Sequence, residues 1–168
     1  MNAAHVHLIL IHFPVAGVLL GAWVMILGMI MGSRRTQLAA CSLFIIAAVG
    51  AGLSYQSGEG AEEVVEHWPG IEERRIEAHG ESAAWTLASC MVLGATAGVG
   101  IYLLRKRSPF HPVMAGMLLL LALLSSGFAL RTGYLGGQIR HPEIISGSTK
   151  PSVTNQYKQP QIEEQEEE

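Results

Sequence analysis

Four histidines stand where side-chain chemistry could be done. His5, His7 and His12 crowd the mouth of the first apolar stretch, and His79 sits in Glu77-Ala-His-Gly-Glu81 at the mouth of the third. A neutral imidazole offers one nitrogen lone pair to a metal and one N–H to a carbonyl or carboxylate. If the first stretch is helical, His5 and His12 are seven apart and share a face that Ala16 and Leu19 continue, while His7 points elsewhere. Pro14 deprives the Leu10 carbonyl of its helical donor, so the helix restarts or bends beside His12. Two imidazole-bearing helix mouths on one side of a bundle predict a shared pocket between His12 and His79. Glu81, two residues from His79, is placed to orient that ring if it turns inward.

The elements that must position these rings are legible from composition. The 168 residues are 49% hydrophobic and only 15% charged, with a mean hydropathy of +0.32, which is unusual for a water-soluble domain of this size. The apolar residues are blocked into four runs, each near or above the ~18 to 20 residues that cross ~30 Å of hydrocarbon. Spans are therefore expected at about 6–31, 38–55, 80–104 and 113–134. Because a lone span must satisfy its own backbone, all four should be helices, giving an all-α integral membrane four-helix bundle within residues 1–145. The first run lacks a basic residue ahead of its apolar core and is too long for a cleaved signal peptide.

Charge gives an expected orientation. Arg34 and Arg35 fill the first short link and Arg105, Lys106 and Arg107 the third, without an acid in either. Both should be cytoplasmic. The glutamate-rich link between spans two and three, and both termini, then lie outside a bacterial inner membrane. Within that link Ser57 is available to cap a short extramembrane helix running to His67, which Trp68-Pro69-Gly70 stops. A further helix begins near Ile71 and runs through His79 into span three. Residues 146–168, rich in Ser, Thr, Pro, Gln and Glu, read as a disordered acidic tail.

Packing surfaces can also be read. Gly17 with Gly21, and Gly28 with Gly32, are small residues four apart on which a neighbouring helix can approach. On span three His79, Ala83, Thr86, Cys90, Gly94 and Ala97 form an inward stripe, with Leu87, Met91, Val92 and Val99 towards lipid. Trp23, mid-span, is assigned to packing. Cys41 and Cys90 lie at different depths and behave as small apolar groups. His67, His111 and His141 are loop residues, most simply solvated. No phosphate-binding glycine loop, serine nucleophile motif or basic stripe for nucleic acid is present.

The His12-Phe-Pro pattern, Ser57-Gly-Glu-Gly-Ala-Glu-Glu, His67-Trp-Pro-Gly-Ile, Glu77-Ala-His-Gly-Glu-Ser-Ala-Ala and the closing Gly133-Tyr-Leu-Gly-Gly occur in that order. Together they resemble the bacterial four-span membrane family catalogued as the two-two-three-one domain of unknown function, over roughly Val6 to His141. The resemblance implies the four-span architecture, His12 and His79 as the matching histidines, and suggested haem or metal binding in association with electron-transfer components. This chain has Gly80 where members often carry a second glutamate, so a role needing that carboxylate is not implied.

On this reading His12 and His79 would ligate a b-type haem from its two faces. Ala16, Gly17, Ala83 and Gly94 would leave room for the ring, and Arg131 and Tyr134 would meet the propionates. The chemistry would be one-electron transfer near the outer face, with redox proteins or a respiratory complex as partners beside the lipid bilayer and a homo-oligomer. Two alternatives stay open. One is a structural or partner-binding bundle without cofactor, in which the imidazoles only hydrogen-bond between helices. The other is copper or zinc bound by His5, His7, His12 and His79.

Overall fold

A computed structural model describes residues 3–65, 71–106 and 112–140. The first span is two helices, α1 (Ala3–Leu10) and α2 (His12–Ile30), broken at Ile11. Pro14 stands in the first turn of α2, where its missing N–H leaves no gap in the helical ladder, so the interruption falls one turn before the proline. The Gly32 residue, at φ 57°, ends this span; its N–H and that of Ser33 return to the carbonyls of Met29 and Gly28. Ser33 then opens α3 (Arg34–Val65), its hydroxyl accepting from the Thr36 N–H at 3.3 Å.

Helices α4 (Glu73–Lys106) and α5 (Pro112–Arg140) complete the bundle. The described residues contain four helices long and apolar enough to cross a membrane: Ala3–Ile30, Arg34–Val65, Glu73–Leu104 and Pro112–Ile139. The chain thus reads as a multi-pass membrane protein with an all-α core. Each span packs on its neighbour in sequence, and α5 closes against α2. An even number of alternating spans brings Ala3 and Arg140 to one end, called here the terminal end.

Helix α3 differs from expectation. It continues unbroken past Tyr55 through Ser57, Gly58 and Gly60 to Val65, so no separate extramembrane helix starts there. Ser57 caps nothing; its hydroxyl donates to the Ser54 carbonyl at 2.8 Å. The reason lies in α1, which packs on this extension: a Cβ on Gly60 would stand 3.1 Å from the Ala3 Cβ. Two glycines that weaken an isolated helix here admit a neighbour. His67, His111, His141 and the acidic tail lie outside the described residues.

Lipid tails are as apolar as leucine, so cohesion between spans comes from close contact. The glycines of α2 show how close. A Cβ on Gly17 would fall 2.9 Å from the Ala47 Cβ, and one on Gly21 would meet the Phe44 ring at 2.6 Å. Gly94 of α4 faces the Ala48 Cβ at 2.5 Å in the same sense. Val18, Met25, Cys41, Phe44, Cys90, Leu93 and Leu118 are fully buried between these helices. Both cysteines are free thiols. Trp23, assigned to packing, instead points out of the bundle with 62% of its surface exposed. Leu87, assigned to lipid, is half-buried against the core.

Candidate functional site

The inward stripe of the first span is set by its tightest contacts. Pro14, Gly21 and Gly28, seven apart, are buried, and one more step of seven towards the terminal end reaches His7. His7 is therefore the inward imidazole of this span. His5 and His12 do share a face, but that face is exposed. His12 turns its ring back along its own helix, Nδ1 lying 2.7 Å from the Leu8 carbonyl. The expected shared pocket of His12 and His79 is not formed within one chain, because the glycine surface fixes the rotation of α2.

His7 Nδ1 stands 3.0 Å from the Ser54 carbonyl and 3.0 Å from the Ser57 hydroxyl. A carbonyl only accepts, so Nδ1 carries the hydrogen and the neutral ring keeps its lone pair on Nε2. His79 follows the same rule. Its Nδ1 donates to the Thr132 carbonyl of α5 at 3.0 Å, and the ring lies over Gly136, where a Cβ would sit 3.0 Å from Cε1. Glycine at 136 is thus the reason α5 can pass the imidazole. Glu81, considered as the orienting group, is exposed; a backbone carbonyl does that work.

Because α1 and α4 run in the same direction and helical side chains lean towards the helix start, both rings lean to the terminal end. Beneath His79 the α4–α5 seam is hydroxylic. Ser82 and Thr86 each place a hydroxyl 2.8 Å from that of Thr132, which in turn donates to the Phe128 carbonyl at 3.0 Å. Ser82 and Thr86 were part of, or beside, the stripe read from the sequence; Thr132, hidden in a leucine-rich span, was not.

Arg75, one turn before His79 on α4, ties the outer rim. It donates to both oxygens of Glu72, at 3.0 and 2.9 Å, and to the Gln138 carbonyl at 3.2 Å, fastening the last turn of α5. The hydrogen bond and charge of Arg75 hold the Glu72 carboxyl below its ordinary value of 4.5. The ion pair is therefore whole above that pH and is lost as pH falls through the lowered value. A surface hollow of about 240 Å³ opens here between Glu72, Arg74, Arg75, Ala78, Leu135 and Gln138.

The other expected site residues lie elsewhere. Arg131 and Tyr134 are exposed and face away from the His79 side of α5. Ala16 is exposed, and the spaces beside Gly17 and Gly94 are filled by Ala47 and Ala48, so these small residues serve helix approach and leave no room for a ring. Among the described residues no three His, Cys, Asp or Glu side chains are grouped to hold a metal ion. A pair of imidazoles with main-chain-held Nδ1–H groups, and no Nε2 partner among the described residues, is the arrangement that metal-ligating histidines adopt. It is also how two buried histidines fasten helices together. Protein-family models, curated proteins and solved structures give no match to this chain.

Proposed function

We propose that His7 and His79 would hold a b-type haem at the terminal end of the bundle, and that the protein carries single electrons. The observation behind this is the matched pair of rings, each fixed at Nδ1 by a carbonyl of the neighbouring span, Ser54 or Thr132. The donor set suits the group: two neutral imidazoles, from helices across the bundle. When bound, haem supplies a one-electron couple. The chain's own residues orient the rings and, through Ser82, Thr86 and Thr132, hold the α4–α5 seam beside them. Arg75, not Arg131, is the cation on the His79 side of the helices and suits a propionate.

The resemblance to the two-two-three-one family supports haem binding at His79, although its matching histidine on the first span is His12 and not His7, and the basic short links support a bacterial inner membrane with both termini outside. Redox proteins or a respiratory complex would then meet the terminal end. A copper or zinc site would need ligands from a second copy or from outside the described residues.

The second reading, a cofactor-free bundle, is favoured by one fact. The same hydrogen bonds tie α1 to α3 and α4 to α5, so they have a purpose without haem. Visible absorption of protein purified after expression with ample haem separates the two. A Soret band present in wild type and His12→Ala but lost in His7→Ala and His79→Ala is expected. Colourless, folded wild-type protein would leave the packing reading.

A further inference from the structure

We infer that the face of α1 and α2 carrying His12 is where a second copy of this chain packs, the two His12 rings meeting across the axis. The inference does not depend on the haem reading. It starts from depth. The first candidate span, Ala3–Ile30, is 28 residues, or ~42 Å at ~1.5 Å per residue, against ~30 Å of hydrocarbon. Centred on the bilayer, it leaves ~6 Å outside at each end, and the His12 Cα, ~13 Å from Ala3, lies roughly 7 Å inside the hydrocarbon, with its ring drawn back by the Leu8 carbonyl to a few ångströms below the boundary.

At that depth an imidazole facing outward is out of place. Ionisable side chains within spans turn to the bundle interior or to water. His12 is exposed among Leu8, Ile9 and Phe13, which are 55%, 52% and 49% exposed. Its Nδ1–H is held by the Leu8 carbonyl, which leaves an acceptor on Nε2 that acyl chains cannot satisfy.

A second copy brings a matching polar group to this depth of necessity. It crosses the bilayer with the same topology, so a twofold axis along the membrane normal opposes one His12 to the other. Two neutral rings then present two Nε2 acceptors, and one water between them donates a hydrogen to each. Ala16, one turn further along the same exposed face, permits close approach of the two helices. Trp23 adds broad apolar area two turns beyond that.

The test is cysteine cross-linking in native membranes, with Cys41 and Cys90 replaced by alanine. Ala16→Cys is compared with Leu123→Cys, on an α5 face that is 70% exposed and outside the proposed contact. Ala16→Cys should form covalent dimer several-fold more readily than Leu123→Cys. Adding His12→Leu should reduce that several-fold, whereas His12→Gln, which keeps a polar group, should preserve it. Native mass spectrometry of the unsubstituted chain from lipid nanodiscs provides a second readout, with dimer expected and His12→Leu shifted to monomer. Equal cross-linking at 16 and 123, cross-linking indifferent to His12→Leu, or a monomeric wild type would each overturn the proposal. A dimer that does not cross-link at 16 would mean another face is used, and would overturn it too.

Discussion

The two halves of this bundle are drawn from the same helices and hold opposite interiors. Towards the terminal end the buried Ser82 and Thr86 and the half-buried His79 and Thr132 are joined by hydrogen bonds, and the buried Ser54 takes another from His7. Towards the other end Met25, Cys41, Leu93, Ala97 and Leu118 are joined by contact, and the buried Gln37 amide also reaches the Gly28 carbonyl at 3.4 Å. Glycines admit a neighbour in both halves, Gly60 and Gly136 in the polar one, but those of α2, from Gly17 to Gly28, set the rotation of that helix against α3. The polar half inherits that rotation. Which histidine of the first span enters the site is thereby decided by Gly17, Gly21 and Gly28, the nearest of them five residues past His12.

Removing bulk from the contact half should have the largest effect. Phe44 is fully buried and packs its ring on Gly21, so Phe44→Ala should cost about 3–5 kcal/mol, read by steric trapping or denaturant titration in mixed micelles. Adding bulk comes next. Gly94→Val would drive a side chain into the Ala48 Cβ at 2.5 Å, and a loss of about 1–3 kcal/mol is expected by the same assay. Because these two substitutions disturb helix rotation, both should also disturb the polar half.

The polar half should respond more weakly to direct change. Thr132→Val removes the hydroxyl that Ser82 and Thr86 share; interhelical hydrogen bonds in membranes average about 0.6 kcal/mol and reach about 1.7, and the loss should fall in that range. If Thr132→Val proved as damaging as Phe44→Ala, the division of labour would be wrong. Ser125, on the boundary, should matter least. Its hydroxyl is fully buried without a hydrogen-bond partner among the described residues. Ser125→Ala should be neutral or stabilise by up to about 1 kcal/mol.

The division also explains what could be read from the sequence. Hydrophobic blocks alone gave four spans, and small residues gave the inward stripe of α4 from His79 to Ala97. Periodicity correctly put His5 and His12 on one face, but a period carries no sign: it does not say which face is inside. The sign was present in the heptad Pro14, Gly21 and Gly28, which extends back to His7. The unbroken α3 was hidden for a different reason. Gly58 and Gly60 look like helix breakers until α1 is packed on them, and that contact is tertiary. Thr132 was hidden because a threonine in a leucine-rich span has no local partner to betray its role.

The inward imidazoles are those of residues 7 and 79 and not that of residue 12. Electron paramagnetic resonance of oxidised protein after haem titration tests it directly, since two imidazole ligands give a low-spin ferric signal. Wild type and His12→Ala should both give that signal, and His7→Ala and His79→Ala should lose it. A low-spin signal that survives in His7→Ala and vanishes in His12→Ala would contradict the account.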